Sequence, residues 1–213
     1  MSRWSIAQAV EIRWWKRYLR NKPVEDYHQW KSNYWNKLLE PMNSLLNLKQ
    51  PQTILDAGCG PAGTFMVLSK HKVTALDPLL DQYQSEIKHF DPGHYPWTDF
   101  QTRRLEDFEA SHQFDGIVCL NAINHVESID LAMDKLLAAL KPGGWIVLGI
   151  DAHNYGPLKH LFRAIPGDVL HPHQFDRHEY RSMLESRNVD VQYDELVKHE
   201  FIFDYRVMAG LKA

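Results

Sequence analysis

The stretch Ile54–Gly63, ILDAGCGPAG, decides the architecture of this chain. A short apolar run, TILDA, ends in Gly58-x-Gly60-x-x-Gly63, the spacing of a strand that turns into a helix N-terminus with backbone N–H groups facing outward. Gly58 permits the tight turn, and Gly60 lets a ligand approach the backbone. Nineteen residues after Gly58, Asp77 closes a second apolar run, KVTAL, where a carboxylate is placed to accept hydrogen bonds from a ribose diol.

Working outward, strands alternate with helices. After the turn a helix is expected over Thr64 to Ser69, then KVTAL, then a helix over Leu80 to His89. The Pro- and Gly-containing segment Asp91 to Asp99 reads as loop, FQTRRL as a weaker third strand ending at Glu106-Asp107, and FDGIVCL as a fourth strand. A helix from about Ile129 to Leu140 stops at Lys141-Pro142-Gly143-Gly144, with a cation at its negative end, and WIVLGID follows as a fifth strand. Such alternation implies a parallel sheet covered on both faces. Asp176 and Glu179 then form a capping-box variant at the start of a helix. Val189 to Val197 and Tyr205 to Leu211, joined by a short connection, pair only as an antiparallel hairpin.

Before the first strand, Tyr27, Trp30, Tyr34, Trp35 and Leu38 fall on one face of a helix, with Pro23 in its first turn and Pro41 at its end. Ile6 to Leu19 is a second helical stretch. Neither belongs to the strand-helix alternation, so both read as an N-terminal cap. The chain of 213 residues reads as a single domain: 1–50 the helical cap, 51–151 the cofactor-binding half, 152–213 a substrate-side segment and closing hairpin.

Asp56, two residues before Gly58, separates two ligand classes. The pyrophosphate of NAD would be repelled by a carboxylate at a site shielded from water. S-adenosylmethionine carries a sulfonium and an ammonium, and a carboxylate that backbone N–H groups can bind. The antiparallel end of the sheet agrees, because the dinucleotide fold keeps its strands parallel.

The net charge of −3 gives no overall field favouring nucleic acid or anionic lipid. Cys59 and Cys119, each beside an apolar run, suit a reduced, cytoplasmic protein rather than a disulfide framework. No apolar run approaches the length of a bilayer span, so no membrane partner is expected. The oligomeric state is not written in these patterns.

ILDAGCGPAG, VTALDPL, RLEDF, FDGIVCLNAINHV and LKPGGWIVLGID, in this order, resemble successive motifs of the class I S-adenosylmethionine-dependent methyltransferases, and HQFDRHEYRSMLESRNVDV resembles the substrate-side helix and strand of their small-molecule group. The resemblance implies an α/β fold, a seven-stranded Rossmann-like sheet of order 3-2-1-4-5-7-6 with strand 7 antiparallel, and S-adenosyl-L-methionine as cofactor. It implies that Gly58, Cys59 and Gly60 border the methionine part, with Asp56 anchoring its ammonium through water. Asp77, followed by Pro78, would take the ribose hydroxyls; Leu105 and Glu106 would hold adenine, although Arg104 stands where many relatives carry an acid. Asn121 would line the methionine side with its backbone carbonyl.

The expected reaction is in-line methyl transfer to a small-molecule acceptor, which needs mainly alignment of the reacting atoms. Asn121-Ala122-Ile123-Asn124 lacks the Pro-Pro-aromatic pattern of amino-methylating enzymes of nucleic acids. His125 matches a position where many small-molecule members carry histidine, and His171 and His173, in a loose segment with His153, are further candidates for substrate contact or general base. HPH alone, without a third ligand, does not make a metal site. Two other readings stand beside this one: an RNA or protein methyltransferase using the basic aromatic helix RWWKRYLR, and a cofactor-binding regulatory protein without catalysis.

Overall fold

Alternate residues of each strand enter opposite apolar layers. The computed structural model describes residues 3–154 and 175–213, side chains from residue 8 onward. Its strands are β1 (Thr53–Ala57), β2 (Lys72–Leu76), β3 (Thr98–Gln101), β4 (Phe114–Leu120), β5 (Leu140–His153), β6 (Val189–His199) and β7 (Phe203–Lys212). Ile54, Val73, Val118, Val147 and Val207 serve one face of the sheet. Leu55, Leu76, Ile117, Ile146 and Met208 serve the other. The sheet order is β3-β2-β1-β4-β5-β7-β6, parallel from β3 to β5, with β7 antiparallel to both β5 and β6, as expected.

The helices are α1 (Arg3–Leu19), α2 (Val24–Leu39), α3 (Asn43–Leu46), α4 (Leu80–Glu86), α5 (Ile129–Ala139) and α6 (Arg177–Glu185). On the first face, Leu19, Tyr27, Trp35, Leu39 and Leu46 from the N-terminal helices pack in one cluster with the strand residues. The cap is therefore also a layer of the core. On the second face, Met133 and Leu136 of α5 and Tyr180 and Leu184 of α6 close the other layer. Asp176 caps α6 reciprocally with Glu179, as its sequence suggested. No helix among the described residues is long and apolar enough to cross a membrane.

Four local expectations are corrected. The helix expected over Thr64 to Ser69 is replaced by two short 3₁₀ turns, Gly60–Ala62 and Thr64–Val67. Backbone groups that a helix would use internally are taken: the Trp35 indole N–H donates to the Ala62 carbonyl (2.9 Å), and the Phe65 N–H donates to Asp56 (2.8 Å). Strand three is TDFQ, not FQTRRL, because Phe100 is held against Phe65 (5.0 Å between centroids) and Phe90 (5.3 Å), and the chain leaves the sheet after Gln101. Lys141 does not cap α5; it pairs with Asp115 (2.6 Å), and Lys212 at the far end of the chain donates to the Leu137 and Leu140 carbonyls. Finally, Trp30 is half exposed rather than part of the buried face of α2, which is formed by Tyr27, Trp35 and Leu39.

Candidate active site

The C-terminal ends of β1, β2 and β4 and the aromatic faces of α1 and α2 enclose a cavity of about 590 Å³, in the size range of small-molecule sites. Gly58, Cys59 and Gly60 of the turn line it, with Asp77 and Pro78 beyond β2. Leu105 and Glu106, Asn121 and His125 line it from the loops after β3 and β4. Gly58 has φ +70° and a Cβ there would fall 2.1 Å from the Ala122 Cβ, so both the turn and the close approach require glycine.

The turn differs from its expected chemistry in one respect. The Gly58 and Cys59 N–H groups both donate to the Leu76 carbonyl (2.7 and 2.9 Å), and the Gly60 N–H donates to Asp77 Oδ2 (3.0 Å). These three donors are consumed within the protein, and no helix N-terminus follows to add others. The strand side of the cavity therefore presents shape and carboxylates in place of these backbone donors.

Asp77 is buried, its second oxygen accepting from the Leu79 N–H (2.9 Å). Burial and then the nearby Glu11 carboxylate push its carboxyl up to about 7. Glu11, on α1, lines the same cavity and accepts from the Tyr83 hydroxyl (3.0 Å). A sugar diol entering between Asp77 and Glu11 supplies donors to two carboxylates that otherwise oppose each other.

Asp56 does not line the cavity. It is buried under the turn, accepting the Phe65 N–H, and burial pushes its carboxyl up to about 6 against hydrogen bonds from Phe65 and Thr64 and the nearby Lys31 cation. A Cβ on Gly63 would meet its Oδ2 at 2.6 Å. In this geometry Asp56 braces the turn from beneath.

Glu106 is tied to its neighbours: its Oε1 accepts from the Glu127 N–H (2.7 Å), the Ser128 N–H (3.3 Å) and Arg104 (3.3 Å). Burial works to raise this carboxyl, and the backbone donors with Arg104 outweigh it, holding it below the usual carboxylate range. The Cys59 thiol is driven well above its usual value by burial and by Asp56 and Asp77, which removes it as a nucleophile at neutral pH. Asn124, beside His125 in the chain, donates to the Asp151 carbonyl (3.1 Å) and to the Tyr180 hydroxyl (2.8 Å), fixing the loop that carries His125. His153 is buried against Phe203 (5.2 Å) and is not in the cavity lining; His171 and His173 lie outside the described residues.

Sequence reasoning missed Glu11, Trp15, Lys31 and Asp151, which also line the cavity. A usable signal existed for Lys31, a cation between Tyr27 and Trp35 at i−4 and i+4 of one helical stripe. Four carboxylates, Glu11, Asp77, Glu106 and Asp151, against two cations, Lys31 and Arg104, around an aromatic-walled cavity suit a ligand with hydroxyl donors and positive charge, and disfavour a pyrophosphate.

A model of a methyltransferase domain family matches residues 27–193. Among curated proteins, the chain is 24% identical over 169 residues to a ubiquinone biosynthesis O-methyltransferase of Rickettsia bellii, covering 74% of this chain and 69% of that one. Among solved structures it is similar to a Burkholderia thailandensis 1,6-didemethyltoxoflavin-N1-methyltransferase with bound S-adenosylhomocysteine (TM-score 0.58, 19% identity, 91% of this chain and 87% of the other). It is also similar to the magnesium protoporphyrin IX methyltransferase of Synechocystis PCC 6803, with bound SAH (TM-score 0.60, 16% identity, 85% and 83%). At these identities the two structures speak for the fold alone.

Proposed function

As the chain belongs to the methyltransferase domain family, we propose that it transfers the methyl group of S-adenosylmethionine to a planar small-molecule acceptor. The observation that carries this reading is the single cavity in which the glycine turn, Asp77 and Glu106 face an aromatic wall of Trp14, Trp15 and Trp30. Relatives named as ubiquinone biosynthesis O-methyltransferases support a flat, conjugated acceptor. The half-exposed Trp14 and Trp30 offer it stacking surfaces.

The bound cofactor supplies an electrophilic methyl group. Asp77 and Glu11 orient the nucleoside through its ribose, and the loop of Leu105 and Glu106 borders the adenine. Held by these residues, that methyl group would face an oxygen or nitrogen of an acceptor stacked on the aromatic wall. His125, on a loop fixed by Asn124, takes the proton that the acceptor gives up. We read residues 1–213 as one domain, and the two buried free cysteines support an intracellular setting.

The test is thermal melting with S-adenosylhomocysteine and with NAD. At about 100 times its Kd, S-adenosylhomocysteine stabilises the fold by about 2.7 kcal/mol, a shift of roughly 5 to 10 °C for this size. NAD gives none. A shift with NAD and none with S-adenosylhomocysteine overturns the reading.

A further inference from the structure

Lys31 is a charge where the packing favours an apolar residue. Tyr27 and Trp35, one turn before and one turn after it on α2, are both buried. The Lys31 Nζ lies 4.1 Å from the centroid of the Trp35 ring and 5.3 Å from that of Tyr34, and the side chain lines the cavity. Among the described residues it forms neither a hydrogen bond nor an ion pair within contact distance. Burial pushes its ammonium down to about 8, and the more distant Asp56 only partly restores it. A cation held this way is costly without an anionic partner, because its water has been replaced by aromatic rings.

The charge layout of the cavity says where an anion belongs. Glu11, Asp77, Glu106 and Asp151 are four carboxylates of the lining that repel one, and Arg104, the other cation of the lining, is already engaged by Glu106 and Glu127. Lys31 is paired with none of the four, and the charge that acts on it is Asp56. The ring beneath it, Trp35, donates to the Ala62 carbonyl of the glycine turn, and the ammonium feels the Asp56 carboxylate in β1, which together place it on the side of the turn. The proposed cofactor has one anionic group, the carboxylate of its amino-acid end, and that end borders the glycine turn when the ribose lies on Asp77.

We propose that Lys31 is the receptor for the cofactor's amino-acid carboxylate, so that the N-terminal helices complete the cofactor site. This rests on the methyltransferase reading above and adds a residue to it. The ring faces of Trp35 and Tyr34 hold the stem in place, and the bound carboxylate replaces the lost hydration of the ammonium with a charge-assisted hydrogen bond.

The test is calorimetry of the full chain with two ligands: S-adenosylhomocysteine, and 5′-methylthioadenosine, which has the nucleoside and thioether but no amino acid. Lys31→Met keeps an unbranched side chain against Trp35 and removes the charge; Lys31→Arg keeps the charge. The expected result is about 10- to 100-fold weaker S-adenosylhomocysteine binding in Lys31→Met, methylthioadenosine binding within about twofold of wild type, and S-adenosylhomocysteine binding largely retained in Lys31→Arg. Unchanged S-adenosylhomocysteine affinity in Lys31→Met overturns the proposal, and is also the outcome if the anion met by Lys31 belongs to the acceptor. Equal losses for both ligands overturn it as well, since they mark a packing role. Should Lys31→Met fail to fold, Lys31→Gln is judged by the same ratio. A wild-type protein that binds neither nucleoside overturns the methyltransferase reading itself, a result distinct from loss of the Lys31 effect alone.

Discussion

The two walls of the cavity are built on opposite principles. The strand wall, from β1 to β4, presents backbone whose polar groups are spoken for: the Gly58, Cys59 and Gly60 N–H groups are bonded internally, and Asp56 is sealed beneath Phe65. The helical wall, from α1 and α2, presents long side chains, with Glu11 and Lys31 among stacked rings such as Trp14 and Tyr18, 4.9 Å apart. Backbone geometry in the first wall follows from sheet register and tolerates little change. Half-exposed side chains in the second, such as Trp14 and Trp30, can be exchanged without moving the frame. In the proposed reading the strand wall supplies shape and the carboxylates Asp77 and Glu106, and the helical wall supplies Glu11, Lys31 and the stacking surfaces.

The largest effect is expected where the walls are joined. Trp35 is buried, and its indole N–H holds the Ala62 carbonyl of the turn. Trp35→Ala should cost roughly 3 to 5 kcal/mol, seen as a drop in melting temperature of roughly 6 to 20 °C. Trp14→Ala, at a residue 52% exposed on the same layer, should change stability by less than about 0.5 kcal/mol. Equal losses in the two variants would break the distinction between a joint and a rim.

A smaller effect separates recognition from folding on the strand wall. Asp77→Ala removes the carboxylate placed for the ribose, and S-adenosylhomocysteine affinity should fall at least about tenfold. The fold should survive, because the residue lies past the end of β2 and relieves a strained charge next to Glu11. Calorimetry showing unchanged affinity would remove Asp77 from the site.

The smallest effect is a pH profile that reads both walls at once. Ribose hydroxyls donate to ionised Asp77, whose carboxyl burial and Glu11 hold at about 7, so affinity should decline as the pH falls through that value. Carboxylate binding by Lys31 needs the protonated ammonium, held at about 8, so affinity should decline again as the pH rises through that value. Binding should peak between the two, with about tenfold weaker affinity at pH 5.5 than at the peak. The free protein should respond differently. Carboxyls raised by burial, Asp56 and Asp77, favour the folded state fully below about pH 4, and this contribution is lost as the pH rises through their folded values. A flat profile for binding in the Asp77→Ala variant on the acid side alone would assign that limb to Asp77.

The strand–helix alternation, the antiparallel closing hairpin and the glycine turn at position 58 were legible because each depends on short-range pattern: apolar periodicity, connection length, and glycine where a side chain would strain the turn. The strand order came from the resemblance to the methyltransferase motifs. Of the expected cofactor residues, eight line one cavity for the same reason, since they sit at strand ends whose direction the alternation sets. The misreadings share another cause. The helix after the turn gave way because Trp35, 27 residues earlier, claims the Ala62 carbonyl. The end of α5 is capped by Lys212, 75 residues beyond Leu137, and not by its own Lys141. Glu11 reaches the site by bonding Tyr83, 72 residues away.

The sequence by itself thus determined the frame, because strand pairing and turns are written in neighbouring residues. Only the tertiary structure decided which charges face the ligand. Asp56 was turned inward and Glu11 was brought to the cavity by contacts between segments far apart in the chain, which no local spacing encodes, and the stripe that carries Lys31 meets the cavity only where its helix docks on the turn.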